Sequence, residues 1–334
     1  MEHLYKIGIT QGDINSISYE IIMKALEDPK ILEICTPVVY GLVKVAGYHR
    51  KVLDFNEFNF HVAKNTQQLT PKKPNIINLG DEEVRIVLGQ SSDAGRKMAE
   101  LALQTAFNDL KSNQIDAIVT APIHKGNMQS QSFSYAGHTE FFSAQCNTTD
   151  TMMLMVADNL KVGFVTNHVS INQAGKLLSI DLLVRKISTL NHSLKKDFLC
   201  SNPKIAVLSL NPHAGDNGLL GNEEIEIIKP AINQAFEQNI NAFGPFPSDG
   251  FFASGQYSQF DAVLAMYHDQ GMVPFKILAI DGGANYTAGL PIVRTSPAHG
   301  TGYDIAGKNI ASPASMRKAI YYAIDILNNR KKSQ

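Results

Sequence analysis

The sequence predicts an α/β fold built as two lobes around a cleft, and three observations carry that expectation. At 334 residues the chain exceeds what one core usually fills, about 250–300 residues, so two packed lobes are expected. Short apolar runs alternate with amphipathic stretches, as buried and largely parallel strands joined by helices require. No repeat, low-complexity tract or flexible linker separates the halves, so crossing strands or helices should join the lobes.

Five runs read as strands: Lys6 to Thr10, Asp116 to Thr120, Lys161 to Thr166, Lys204 to Leu210 and Asp261 to Met266. Between the first two, Leu53 to Val87 has no regular pattern and Thr70-Pro71-Lys72-Lys73-Pro74 marks a turn, so variable surface structure is expected. Asp93 to Lys111 reads as a helix with Asp93 as N-cap and Met98, Leu101, Ala102, Phe107 and Leu110 on its buried side. The last helix is announced by Ser312 at the N-cap and Pro313 at N1. Its buried stripe is Met316, Ala319, Ile320, Ala323, Ile324 and Leu327. Arg330-Lys331-Lys332 reads as a solvated helix end whose cations suit the dipole.

The formal charge of −1, with 44% hydrophobic and 18% charged residues, lacks the basic excess that nucleic acid or anionic membranes select. Cys35, Cys146 and Cys200 are odd in number and form no C-x-x-C pair, which argues against a disulfide framework or a zinc ribbon. The chain begins without a signal-peptide pattern, and no apolar run nears the ~20 residues of a membrane span. A cytoplasmic protein without nucleic-acid or membrane partners is the expectation.

Three of the predicted strands end in a histidine within two or three residues: Asn167-His168, Asn211-Pro212-His213 and Tyr267-His268. Ligands of open α/β sheets bind at the carboxyl ends of strands, so these imidazoles can converge into a divalent-metal site. A lone histidine after a strand is usually a packing or loop residue, and it is the threefold repetition that favours the metal reading. Asp269 and Asp216 stand beside two of these histidines as acceptors or further ligands. His124 is weaker as a ligand, because the adjacent Lys125 disfavours a cation and suits an anion. Gly137-His138-Thr139-Glu140 opens a helix whose N-terminus can hold a phosphate, with a capping role for Thr139 as the alternative. Lys276, Asn285 and Arg294 lie in apolar sequence, where cations are commonly paired or bound to anions. Neither G-x-G-x-x-G nor a P-loop occurs. The glycine-rich run from His299 through Gly300, Thr301, Gly302 and Asp304 to Lys308 is the one candidate dinucleotide cradle.

The runs Ile9-Thr10-Gln11-Gly12-Asp13, Ala121-Pro122-Ile123-His124-Lys125, Gly137-His138-Thr139-Glu140 and Thr166-Asn167-His168, followed by Leu210 to Gly215, Ala265 to Gly271 and Gly289 to Ser296, resemble the 4-hydroxythreonine-4-phosphate dehydrogenase (PdxA) family. The resemblance spans nearly the whole chain and keeps the motifs in order. Asn211-Pro212-His213-Ala214-Gly215 and Tyr267-His268-Asp269-Gln270-Gly271 are its most specific parts. The loop from His299 to Pro313 is similar to that of isopropylmalate and isocitrate dehydrogenases. The implied fold is theirs: two α/β/α lobes with a cleft, a cofactor-side lobe of residues 1–130 plus 295–334 and a metal, substrate and dimerisation lobe of residues 131–294.

The resemblance also implies a metal held by His168 and His213 of one subunit and His268 of its partner, the ion being zinc, cobalt or magnesium. Substrate contacts are implied for His138, Thr139, Asp249, Asp269, Lys276, Asn285 and Arg294, with Lys276, Asp269 and Asp249 as catalytic candidates. NAD, or NADP, is expected at Gly300, Thr301, Asp304 and Asn309. The implied reaction oxidises 4-phosphooxy-L-threonine, which then decarboxylates to 3-amino-2-oxopropyl phosphate for pyridoxal phosphate synthesis in a homodimer. A paralogue acting on erythronate or threonate 4-phosphate is the alternative, and a three-histidine metallohydrolase a more remote one.

One motif departs from the family pattern. In place of G-D-P-[AS]-G-[IV]-G-P-E the chain reads Gly12-Asp13-Ile14-Asn15-Ser16-Ile17-Ser18-Tyr19-Glu20, losing both prolines and two glycines. The turn is therefore expected to change shape, with effects on cofactor affinity or substrate choice.

Overall fold

Each of the five apolar runs forms a strand in the computed structural model, which describes residues 4–124, 135 and 137–333. Along the described residues the strands are β1 (Tyr5–Thr10), β2 (Cys35–Gly41), β3 (His61–Ala63), β4 (Asn75–Asn78), β5 (Ala117–Thr120), β6 (Met152–Ala157), β7 (Leu160–Phe164), β8 (Lys204–Leu208), β9 (Asn241–Phe246), β10 (Ala262–Ala265), β11 (Ala284–Ala288) and β12 (Arg294–Pro297).

The chain divides into two units, Met1–Phe142 with Ile292–Leu327 and Ser143–Pro291 with Asn328–Gln334. In the first, the strand order is β3-β4-β2-β1-β5-β12 and every pairing is parallel. In the second the order is β11-β6-β7-β10-β8-β9, where β6 runs antiparallel to both β11 and β7 and the other pairs are parallel. The strands β6 and β10 are buried throughout, which explains why their sequences are continuous apolar runs and not alternations.

The Asp93–Lys111 helix packs on β1, β2 and β5 through Ala99, Ala102, Leu103, Ala106, Phe107 and Leu110. Burial of a Leu or Phe there contributes about 1.5–3 kcal/mol. Two details differ from the sequence reading. Ser92, not Asp93, is the N-cap, its hydroxyl accepting the Gly95 N–H at 3.0 Å. Leu101 is exposed, because the small Ala99 and Ala102 are the residues that let the helix approach the sheet. At the last helix, Ala314–Lys332, Ser312 does cap, accepting the Ala314 N–H at 3.3 Å.

The Leu53 to Val87 stretch is more ordered than its pattern suggests, since it supplies the edge strand β3 and its neighbour β4. The polar Asn75 hid the second of these. Its buried amide donates to the carbonyls of Pro37, Thr70 and Lys73 and accepts the Thr70 N–H, tying the preceding turn to the sheet.

Arg330 is likewise not a solvated helix end. Its Nε donates to Asp197 Oδ1 at 2.7 Å, and its other nitrogens reach the Tyr286 hydroxyl and the carbonyls of Leu290 and Pro291. Tyr286 donates to Asp197 Oδ2 at 2.6 Å, so a buried carboxylate is neutralised by one cation from the segment that closes the second unit. None of the helices among the described residues is long and apolar enough to cross a membrane. Arg330→Met would leave Asp197 buried without its cation, and urea denaturation is expected to show a loss of about 3–5 kcal/mol.

Candidate functional site

In the second unit β7, β10 and β8 are adjacent and parallel, so their carboxyl ends share one edge. His168, His268 and His213 follow those ends. Main-chain bonds from Val165 and Thr166 to the carbonyls of Ala265 and Met266 hold the first two segments together. Gln270 ties in the third: its Oε1 accepts the Met266 N–H at 2.7 Å and its Nε2 donates to the Ser209 carbonyl at 2.6 Å.

The rings of His168 and His268 come within 5.7 Å, centroid to centroid, in the same chain. His268 donates from Nδ1 to Asp269 Oδ1 at 2.7 Å, which fixes the tautomer and leaves Nε2 for a metal. His213 is exposed on the loop after β8. Among the described residues of the single chain no three metal-ligating groups come together. The donor chemistry, imidazoles backed by a carboxylate, nonetheless fits a first-row divalent ion. Beside it, Asn167 Oδ1 is buried without a hydrogen-bond partner, and so is Asn285 Oδ1 on β11. Lys276 and Asp249 are exposed, the former in the last turn of the His268–Leu278 helix, the latter in the first turn of Ser248–Ala253.

The first unit assembles the anion-binding candidates. Arg294 opens β12 and is 2% exposed. Its guanidinium donates to Thr120 Oγ1, at 3.2 Å from Nε and 2.5 Å from Nη2, and to His138 Nδ1 at 3.2 Å. Burial pulls its pKa down to about 9, opposed by the nearby Glu140 carboxylate, and the group stays cationic at neutral pH. His138 and Thr139 begin the His138–Gln145 helix, so a charged fork and a helix N-terminus lie together, a pairing that suits a phosphate or carboxylate. His124 stacks on Tyr303 with centroids 5.7 Å apart, and Lys125 lies outside the described residues.

The glycine-rich loop is also in the first unit. A Cβ on Gly300 would meet nothing within 4 Å, so the backbone there is open to a ligand, and Asp304 is exposed in the turn Tyr303–Ile305. These features fit a dinucleotide. Asn309 instead donates its amide to the Leu53 carbonyl at 3.0 Å.

The divergent Gly12 to Glu20 motif grips this loop. Tyr303 donates to Asp13 Oδ2 at 2.7 Å, Ile17 N–H donates to the Thr301 carbonyl at 3.1 Å, and Glu20 Oε1 accepts the Ala311 N–H at 2.7 Å. Lys24 bonds the same Glu20 oxygen and the carbonyls of Asn309 and Ala311. Gly12 keeps a φ of 66° and has the Pro122 carbonyl 2.5 Å from where a Cβ would stand. None of residues 13–20 has a positive φ, so glycine is not required at positions 16 and 18. Polar side chains do the bracing: Ser16 donates to the Asp13 carbonyl, Asn15 joins Ser92 to Val87, and Tyr19 donates to Gln11 Oε1.

Residues 33–323 match the family model described as pyridoxal phosphate biosynthetic protein PdxA. The chain belongs to the PdxA family. A 4-hydroxythreonine-4-phosphate dehydrogenase of Bacteroides thetaiotaomicron is 47% identical over 334 residues, covering 100% of this chain and 92% of that one. A protein of Oceanobacillus iheyensis provisionally named D-threonate 4-phosphate dehydrogenase is 39% identical, covering 96% and 97%. Among solved structures, the 4-hydroxythreonine-4-phosphate dehydrogenase of Klebsiella pneumoniae superposes with a TM-score of 0.81 at 32% identity, covering 97% and 98%. The isocitrate dehydrogenase of Methylococcus capsulatus, at 11% identity and a TM-score of 0.51 over 99% and 88%, shares the fold. The expected fold class holds, and the relatives place this PdxA-family chain among the oxidoreductases.

Several residues of this PdxA chain were missed in its sequence: Gln270 and Thr120, which act through other side chains, and His49. The ring of His49 is buried against Tyr19, and its Nε2–H donates to the Ile14 carbonyl at 2.7 Å, bracing the divergent motif. Burial pulls its pKa from 6.5 to about 4, so the folded chain excludes a proton that the unfolded chain binds. Stability should therefore fall as pH drops from about 6.5 to 4, by up to about 1.4 kcal/mol per pH unit from this group. Denaturation curves at pH 7 and pH 5 should show a shallower pH dependence for His49→Gln than for the wild type.

Proposed function

We propose that this chain oxidises 4-phosphooxy-L-threonine with NAD and lets the product decarboxylate to 3-amino-2-oxopropyl phosphate. The reading rests on the buried Arg294 fork beside His138, an anion site within a chain of this family. Two named relatives frame the choice of substrate, one for the amino acid and one for D-threonate 4-phosphate.

A divalent ion, when bound, favours loss of the substrate hydroxyl's proton and steadies the charge left by carbon dioxide, while the nicotinamide accepts the hydride. His168, His213 and His268 would hold the ion, with His268 of the partner subunit completing the set, and Asp269 orients that imidazole. Arg294 and the His138-Thr139 helix start bind the substrate's anionic end. The buried Asn285 Oδ1 accepts from an ammonium or hydroxyl donor on the substrate, and exposed Lys276 carries a proton at its Nζ. Gly300, Thr301 and Asp304 receive the dinucleotide, Asp304 accepting from ribose hydroxyls. A homodimer in the cytoplasm is the working form, and Val273, Ile277 and Ile280, exposed at 54, 64 and 85%, supply an apolar surface for it.

Purified protein with a divalent metal should reduce NAD with 4-phosphooxy-L-threonine; brisk turnover of D-threonate or erythronate 4-phosphate in its place would transfer the assignment to the alternative. Arg294→Lys keeps the charge but loses the fork, and its KM is expected to rise about tenfold or more with the fold intact. Light scattering should give a dimer mass for the active species. A fully active monomer would mean that His168 and its intrachain neighbour His268 complete the site within one chain.

A further inference from the structure

The segment carrying His213 adopts a backbone that L-residues avoid. His213, Ala214, Asp216 and Asn217 have φ of 52, 53, 43 and 54°, with Gly215 at 81°, which makes one turn of left-handed helix. His213, Asp216, Asn217, Leu219 and Leu220 are exposed, so apolar packing does not hold the turn in place.

What holds it is a buried carboxylate that the sequence pattern concealed. Glu224 is fully buried, and its Oε1 accepts the N–H groups of Leu210 at 2.8 Å and Asn211 at 2.7 Å. Its Oε2 accepts Asn211 Nδ2 at 3.0 Å, and Asn211 also donates to Glu223 Oε2 at 2.7 Å. A Cβ on Gly215 would stand 2.6 Å from Glu224 Oε2, so the left-handed turn closes directly onto this carboxylate.

We propose that Glu224 is the positioning residue for the His213 imidazole, anchoring the entry to the turn that presents it and backing the middle of that turn at Gly215. This rests on the reading of His213 as a metal ligand. A glutamine at 224 would keep the Oε1 acceptor but set an amide N–H₂ against that of Asn211. Asn211 cannot flip to relieve the clash, because its Oδ1 would then face the Glu223 carboxylate. The turn would lose its anchor while the sheet beneath keeps its own.

Metal-free protein titrated with Co²⁺, followed by its visible absorption, tests this without relying on turnover. His213→Ala is expected to abolish tight binding, and Glu224→Gln to weaken it about 10–100-fold, as loss of a residue orienting a ligand does. The Leu210 and Asn211 amides should exchange faster in that variant. Gly215→Ala acts on the same contact from the side of the turn. It should weaken Co²⁺ binding similarly in a chain that still folds at a lowered metal-free melting temperature, since an alanine at φ 81° is strained, and it decides the matter if Glu224→Gln does not fold. Wild-type affinity in both variants while His213→Ala loses the ion would overturn the positioning role and leave the metal reading standing. Wild-type affinity in His213→Ala would remove both.

Discussion

A strand paired on both edges and covered on both faces has every main-chain group engaged and every side chain buried, so polar chemistry is confined to where the strand stops. That constraint organises this protein. In the second unit it delivers three histidines to one edge of adjacent parallel strands, and the Thr166 and Gln270 bonds knit those strand ends into one platform. Arg294 is the exception that clarifies the rule. It lies on a strand with its charge enclosed, and it is tolerated because Thr120 and His138 receive its N–H groups.

The parts of the architecture legible in the sequence are those written as apolar runs. β1, β5, β7, β8 and β10 appear as continuous hydrophobic stretches, and the histidines just past three of them mark the candidate metal edge. Among the strands that escaped notice, β6 is wholly apolar, whereas β4 and β12 carry polar residues whose partners lie far along the chain. Asn75 disguises β4, and β12 reads as the unpromising Arg294-Thr295-Ser296-Pro297 because Thr295 sends its hydroxyl to the Ala319 carbonyl. Periodicity cannot register such bonds. Leu101 errs in the opposite direction: it fits the helical stripe, yet the alanines beside it occupy the interface. Glu224 stands in the acidic run Glu223-Glu224-Ile225-Glu226, which carries no sequence signal of burial. Only the left-handed turn folding back on it makes it an interior acceptor.

The divergent N-terminal motif illustrates how one physical task can have two solutions. Proline and glycine shape a turn by restricting or freeing the backbone. Here Asn15, Ser16, Ser18 and Tyr19 achieve a fixed shape through side-chain hydrogen bonds, with Gly12 retained where the Pro122 carbonyl leaves no space. The change propagates outward, since Asp13, Ile17 and Glu20 all hold the glycine-rich loop. Turn and loop in this PdxA-family chain are thus a single mechanical element.

The cation that neutralises Asp197 sits 133 positions further along the chain. Until that residue is synthesised and docks, Asp197 and Tyr286 must stay hydrated or remain poorly packed, and closing so long a loop carries an entropic penalty that no local contact offsets. Completion of the second unit's interior accordingly waits on that distant residue. An isolated fragment ending at Pro291 would carry its strands but not the counterion that allows their interior to dry.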